Sequence, residues 1–244
     1  MALTVGSAAA IWAAVTHRLA DGPAPSSGTV IPSAREYVTA SGERAVLTLV
    51  DGTRVILGAA SRLTVSPKYG SGTDPRLVTL EGEGYFEAVH DAAHPFTVQV
   101  GHRLVRDVGT KFVVRAFAPD HSVAVAVTEG EVMLAGTRLR QGDLGRLDAT
   151  GAVRVRSGAD LRSYTSWITG RLVFDDTPLA EAIPVLERWY DLDITVADSA
   201  LYRRRLFATL ESQPVTNVLD LIALSLNLRV ERRGRIVTFS QQRP

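Results

Sequence analysis

Apolar and polar residues alternate with period two through much of Glu81 to Val127. Val98 and Val100, Phe112 and Val114, and Val123, Val125 and Val127 fall at alternate positions in short runs. Successive side chains of a strand point to opposite faces, so this pattern predicts strands with one buried face. Gly, Pro, Asp and His separate the runs, which makes the region a succession of strands and turns. Upstream, Leu47 and Leu49 are joined to Val55 and Leu57 through Asp51-Gly52, a pair that predicts a tight hairpin with positive φ at both turn positions. Leu77 to Leu80 and Tyr85 to Val89 read as two further strands, and the meander runs on to about Val155. About ten to twelve short strands without a helix predict an all-β domain.

The period changes after Asp160 to Thr169. From Leu172 the chain repeats itself every 36 residues, Pro178 to Pro214: Leu179 aligns with Val215, Ile183 with Leu219, Leu186 with Ile222, Tyr190 with Leu226, Leu192 with Leu228 and Ile194 with Val230. In each copy these positions form one helical face flanked by short apolar strands. Thr177-Pro178 predicts a helix start, with Thr as cap and Pro at the first position. Asp191 and Asn227 stand where a left-handed residue ends each helix. Pro184 removes one helical hydrogen bond and should kink or shorten the first helix. The expected fold is thus mainly β plus α+β: an all-β meander or solenoid-like domain, then a small domain of two βαβ repeats.

Composition narrows the function classes. The 244 residues carry a net charge of +1, with 22% charged residues and no cysteine. So mild a charge, with no stretch mixing dense Lys/Arg and stacking aromatics, excludes nucleic acid as a partner. Without cysteine there are no disulfides, thiolate metal sites or Cys nucleophile. Ala2 to Thr16 is uncharged and mostly apolar. As a helix it spans only about 22 Å against the roughly 30 Å of a hydrocarbon core. It reads as part of a signal anchor, as the apolar part of a signal peptide, or as a buried helix. Asp21 to Ser33 is a Pro-, Gly- and Ser-rich linker.

Several spaced motifs occur in order: Leu49-Val50-Asp51-Gly52-Thr53-Arg54-Val55-Ile56-Leu57, Glu81-Gly82-Glu83 with Tyr85-Phe86, and Pro95-Phe96-Thr97-Val98. Val108-Gly109-Thr110-Lys111-Phe112-Val113-Val114, Glu129-Gly130 with Val132, and Trp167, Gly170, Leu172 and Phe174 follow. Together they resemble the periplasmic domain of FecR-type anti-sigma regulators. The βαβ pair resembles the secretin and TonB short N-terminal domain that such regulators carry at the C-terminus. The resemblance implies a partial transmembrane or signal-anchor segment over 1–16, a linker over 17–40, an all-β FecR domain over 41–160 and the βαβ-repeat domain over 168–244. It implies a single-pass inner-membrane protein with its bulk in the periplasm. The partners would be the N-terminal signalling domain of a TonB-dependent outer-membrane receptor, of the iron-siderophore type, and an extracytoplasmic-function sigma factor. Nothing in the sequence resembles the family's cytoplasmic sigma-binding segment. Function would rest on protein contact, with no cofactor and no catalytic turnover. A periplasmic structural or carbohydrate and cell-wall binding module is the rival reading, since a scaffold does not fix a function.

Three groups of residues carry candidate chemistry. His90 and His94 flank Asp91, and a metal-dependent enzyme would need them to converge with His102 and His121. Arg203-Arg204-Arg205 is either a partner-binding patch or a solvated loop. At Gly109-Thr110 the hydroxyl of Thr110 directly follows the least hindered residue. It can attack the preceding carbonyl and leave an ester that hydrolyses readily. The resemblance implies self-cleavage at this bond, and His102, Asp107 and His121 are near enough in sequence to be candidate bases; the alternative is a glycine bulge beside a strand threonine.

Overall fold

The computed structural model describes residues 34–70, 75–107, 109–117, 122–211 and 213–242. The expected membrane segment over 1–16, most of the expected linker, Val108 and His121 lie outside the described residues. Among the described residues, no helix is long and apolar enough to cross a membrane.

The alternating segments are strands. In chain order they are β1 (Arg35–Thr39), β2 (Ala45–Thr48), β3 (Arg54–Leu57), β4 (Ser61–Val65), β5 (Leu77–Glu87), β6 (Thr97–Val100) and β7 (Arg103–Asp107). Next come β8 (Lys111–Ala116), β9 (Val123–Glu129), β10 (Glu131–Leu134), β11 (Thr137–Arg140), β12 (Leu144–Leu147) and β13 (Val153–Arg156). β1 lies inside the stretch expected as linker, where its antiparallel pairing with β4 orders it. The strands form two layers that share β5: sheet A runs β11-β10-β7-β6-β5-β4-β1 and sheet B runs β13-β12-β9-β8-β5-β3-β2. Their inner faces meet in one apolar core that includes Leu63, Val98 and Leu134 from sheet A and Phe86, Phe112 and Val125 from sheet B. Each such side chain, once fully buried, contributes about 1.5–3 kcal/mol before entropy is counted.

Glu81-Gly82-Glu83, expected as a break between two strands, is instead the crossing point within β5. Residues before it pair with β4 in sheet A, and residues after it pair with β3 and β8 in sheet B. Gly82 makes the crossing possible: its φ is +102°, and a Cβ there would collide with the side chain of Ser61.

The repeat folds as α2 (Leu179–Tyr190) and α3 (Val215–Leu226) with β14 (Leu172–Pro178), β15 (Asp193–Val196), β16 (Arg205–Leu210), β17 (Leu228–Arg233) and β18 (Ile236–Gln241). A short helix α1 (Arg162–Thr165) and a 3-10 turn over Ser166–Thr169 precede it. The two strands of each copy join different sheets: β14 pairs with its counterpart β16, whereas β15 and β17 both pair with β18. Asp191 and Asn227 end the helices with φ of 55° and 48°, the left-handed caps expected. The start differs from expectation. Pro178 is itself the extended N-cap, and the Thr177 hydroxyl donates to Asp175 O rather than to a helix N–H. Pro184 is accommodated inside α2.

Sheet B is apolar on both faces, which explains runs such as Phe112-Val113-Val114. Phe112 and Val114 face the sandwich core, while Val113, with Ile56, Tyr85, Ala126 and Leu144, packs into a second core around Trp167, Leu186 and Phe239. Polar contacts border that junction: Arg44 donates to the Trp167 carbonyl at 2.6 Å, and Gly42 N donates to Arg188 O at 2.8 Å.

Candidate functional site

The link from β7 to β8 holds Gly109 and Thr110, outside any strand. Thr110 is buried, and its hydroxyl donates to Oδ1 of Asp107, a carboxylate that is also buried at the end of β7. The Thr110 carbonyl accepts from Ala88 N at 3.1 Å, which ties the link to the end of β5. Gly109 has φ +99°, and a Cβ there would fall 2.5 Å from Nδ1 of His90. On the other side, a Cβ at Gly130 would fall 2.5 Å from the Gly109 carbonyl oxygen. The Gly109-Thr110 peptide is therefore held between the His90 loop and the bend after β9, and only glycine fits at both close approaches. Just beyond it Lys111 pairs with Glu129 at 2.6 Å.

The His90 loop is anchored from inside. Arg76 is 4% exposed and donates through Nε to Asp51 at 2.7 Å, and through its other nitrogens to Thr53 Oγ1, Val89 O and His94 O. Tyr69 donates its hydroxyl to Asp51 at 2.8 Å. Burial pulls the Asp51 carboxyl upward, but bonds from Thr53, Tyr69 and Arg76 outweigh it and hold that carboxyl below the usual range. Burial first, and then the hydrogen bond to the Asp51 carboxylate and its charge, push the Tyr69 hydroxyl well above its ordinary value. The expected tight hairpin is correspondingly different. The turn spans Leu49 to Thr53, and only Gly52 takes positive φ, leaving Asp51 to serve the network.

Of the three candidate bases, Asp107 touches Thr110, His102 is exposed at the β6–β7 turn, and His121 lies outside the described residues. His90, considered above only as a metal ligand, is the histidine that lies against Gly109. Contacts between loops remote in sequence leave no local pattern from which this could be read. His94 Nδ1 is 3.1 Å from Asp91 Oδ2, and among the described residues no three His, Cys, Asp or Glu side chains gather to hold a metal. Arg203-Arg204-Arg205 is largely committed: Arg204 donates to the Leu226 carbonyl at the end of α3, and Arg205 donates to Asp176 O at 2.8 Å.

The described residues thus form a two-layer β domain with an α/β repeat packed on the outer face of sheet B. The chain belongs to the FecR family: residues 35–133 match the family model for FecR protein, and residues 171–239 match that for FecR, C-terminal. Two crystal structures of a candidate anti-sigma factor from Parabacteroides distasonis ATCC 8503, at 2.50 and 1.65 Å resolution, are similar. They share 27% and 28% identity with TM-scores of 0.76 and 0.75, each covering 86% of this chain and 100% of theirs. No curated protein matches the sequence.

Proposed function

We propose that this chain is an anti-sigma-type regulator of cell-surface signalling that acts by protein contact from the periplasmic side of the inner membrane. The observation that carries this reading is the occurrence of both FecR family regions, in order, on one folded body. In this reading the chain receives the state of a TonB-dependent, siderophore-type receptor through that receptor's N-terminal signalling domain and relays it to an extracytoplasmic-function sigma factor. The receptor contact lies on the repeat. There Leu221 and Leu224, one turn apart on α3, are 46% and 81% exposed, and β14 and β16 form a two-stranded sheet with open edges. Binding of the chain to candidate signalling domains, with Leu221→Asp and Leu224→Asp as probes, tests this. Wild type should bind and the variants should not; equal binding by the variants moves the contact elsewhere.

The chain also breaks itself at Gly109-Thr110 in this account. The Thr110 oxygen bonds to the Gly109 carbonyl carbon as its proton passes to Asp107. The C–N bond of that peptide then opens, and the Thr110 nitrogen takes a proton to become an amine. Water hydrolyses the resulting ester, leaving a carboxylate on Gly109 and restoring the Thr110 hydroxyl. On a denaturing gel wild type should run as two pieces, Thr110→Ala as one, Thr110→Ser as two, and Asp107→Asn should split more slowly. A wild type that stays whole, or a Thr110→Ala chain that splits equally, removes this step.

A further inference from the structure

A groove of about 490 Å³ lies between the outer face of sheet B and α2, outside the Gly109-Thr110 region and away from the exposed face of α3. Its floor has an unusual register. Arg115 on β8 is the Cα partner of Ala124 on β9, Ala124 is the partner of Arg146 on β12, and Arg146 is the partner of Arg154 on β13. Three arginines thus stand in one row across four neighbouring strands, although like charges set directly opposite destabilise a sheet. Arg188 borders the groove from the helix wall with its guanidinium over the Phe117 ring at 3.7 Å, and Asp148 and Glu181 are the acidic side chains of the lining. Asp148 spends Oδ1 on Thr150 and Ala152 of its own turn. Among the described residues neither Arg146 nor Arg154 forms an ion pair within 4.0 Å, and Asp148 acts on Arg154 only through space.

The row is also ordered in advance. Arg146 donates to the Tyr164 hydroxyl at 2.6 Å, and Arg115, held to Glu83 at 2.7 Å, stacks 4.7 Å from the centre of the same ring. A guanidinium fixed against a ring loses little freedom when it engages a carboxylate. On the opposite wall Pro184 has no N–H to give the Ala180 carbonyl one turn back, and both residues border the groove. The helix therefore offers a backbone acceptor there as well as apolar surface from Val185.

We infer that this groove takes an extended acidic segment of a partner protein. Four strands at about 4.8 Å spacing give a row roughly 14 Å long, the span of about four extended residues and too long for one phosphate or carboxylate to engage. Carboxylates would meet the guanidinia, and apolar residues between them would lie on Val185. The inference rests on the contact-based reading above and names a second contact of that regulator, separate from α3.

The test is fluorescence anisotropy with a fluorescein-labelled Asp-Val-Glu-Val-Asp peptide, titrated with the whole chain at about 0.15 M salt. The peptide should bind at least about tenfold more tightly than its Asn-Val-Gln-Val-Asn analogue. It should lose about tenfold on Arg146→Glu with Arg154→Glu, two exposed positions whose melting curve should match wild type. Equal binding of the neutral analogue, an unaffected double variant, or displacement by millimolar inorganic phosphate would each overturn the inference. The Leu221→Asp and Leu224→Asp variants should bind the peptide normally. A signalling domain that binds when the peptide does not removes the groove inference and leaves the regulator reading intact; the peptide binding alone does the reverse.

Discussion

In the sandwich, Arg76, Asp51, Asp107 and Thr110 are polar groups carried inside the fold, whereas in the repeat Phe207, Leu221 and Leu224 are apolar groups carried outside it. The two regions differ in how their sheets are covered. Sheet A packs one face and sheet B packs both, so the sandwich is closed around its core and closed again by the docked repeat. In the repeat the helices pack on its own strands, α3 against β16 and β17, and Leu221 and Leu224 of α3 stay exposed. Buried polar groups must be paired to persist, while exposed apolar groups gain by being covered. On the proposed function, the sandwich carries the Gly109-Thr110 bond and the repeat carries the receptor contact.

Breaking the sandwich from inside should have the largest effect. Arg76→Ala leaves Asp51 with its guanidinium gone and frees the Val89 and His94 carbonyls, so it should cost about 3–5 kcal/mol. Thermal unfolding should show a midpoint lower by on the order of 10 °C. Ile56→Ala, on the outer face of sheet B, should cost about 2–5 kcal/mol. If sandwich and repeat share that core, calorimetry should still show one transition; two would mean that they unfold separately.

The pH dependence sharpens the same comparison. Asp51 has a folded pKa below its unfolded one, so its contribution is full above the ordinary carboxylate range and is lost as pH falls through the lowered value. Melting midpoints measured from neutral to acid pH should fall steeply for wild type. Asp51→Asn should start lower and fall less. The smallest stability effect belongs to the repeat's outer face. Leu224→Asp, at an exposed position, should stay within about 0.5 kcal/mol of wild type in denaturant unfolding while weakening partner binding.

The sequence made some of this legible and not the rest, for physical reasons. Alternation tells which side chains share a face, so the strands, the helix-free first region and the 36-residue repeat could be read directly. It does not tell which strand pairs with which. Hence neither the sharing of β5 between two sheets nor the splitting of each βαβ copy was visible. Asp51 read as a turn former because Asp-Gly is a local signal, but Tyr69 and Arg76 are distant in sequence and recruit its carboxylate. At the candidate site Asp107 was within local reach of Thr110, whereas the approach of His90 and Gly130 depends on loops from three parts of the sheet.

The most direct test of the central claim is a binding titration of the folded chain against the N-terminal signalling domain of candidate TonB-dependent receptors. Wild type, Arg76→Lys and the Leu221→Asp, Leu224→Asp double variant would be compared at matched folded concentration. The account predicts saturable binding by wild type, retained binding by the sandwich variant as far as it stays folded, and loss of binding by the fully folded α3 variant. Binding unaffected by the α3 changes, or absent from wild type with every candidate receptor, would contradict it.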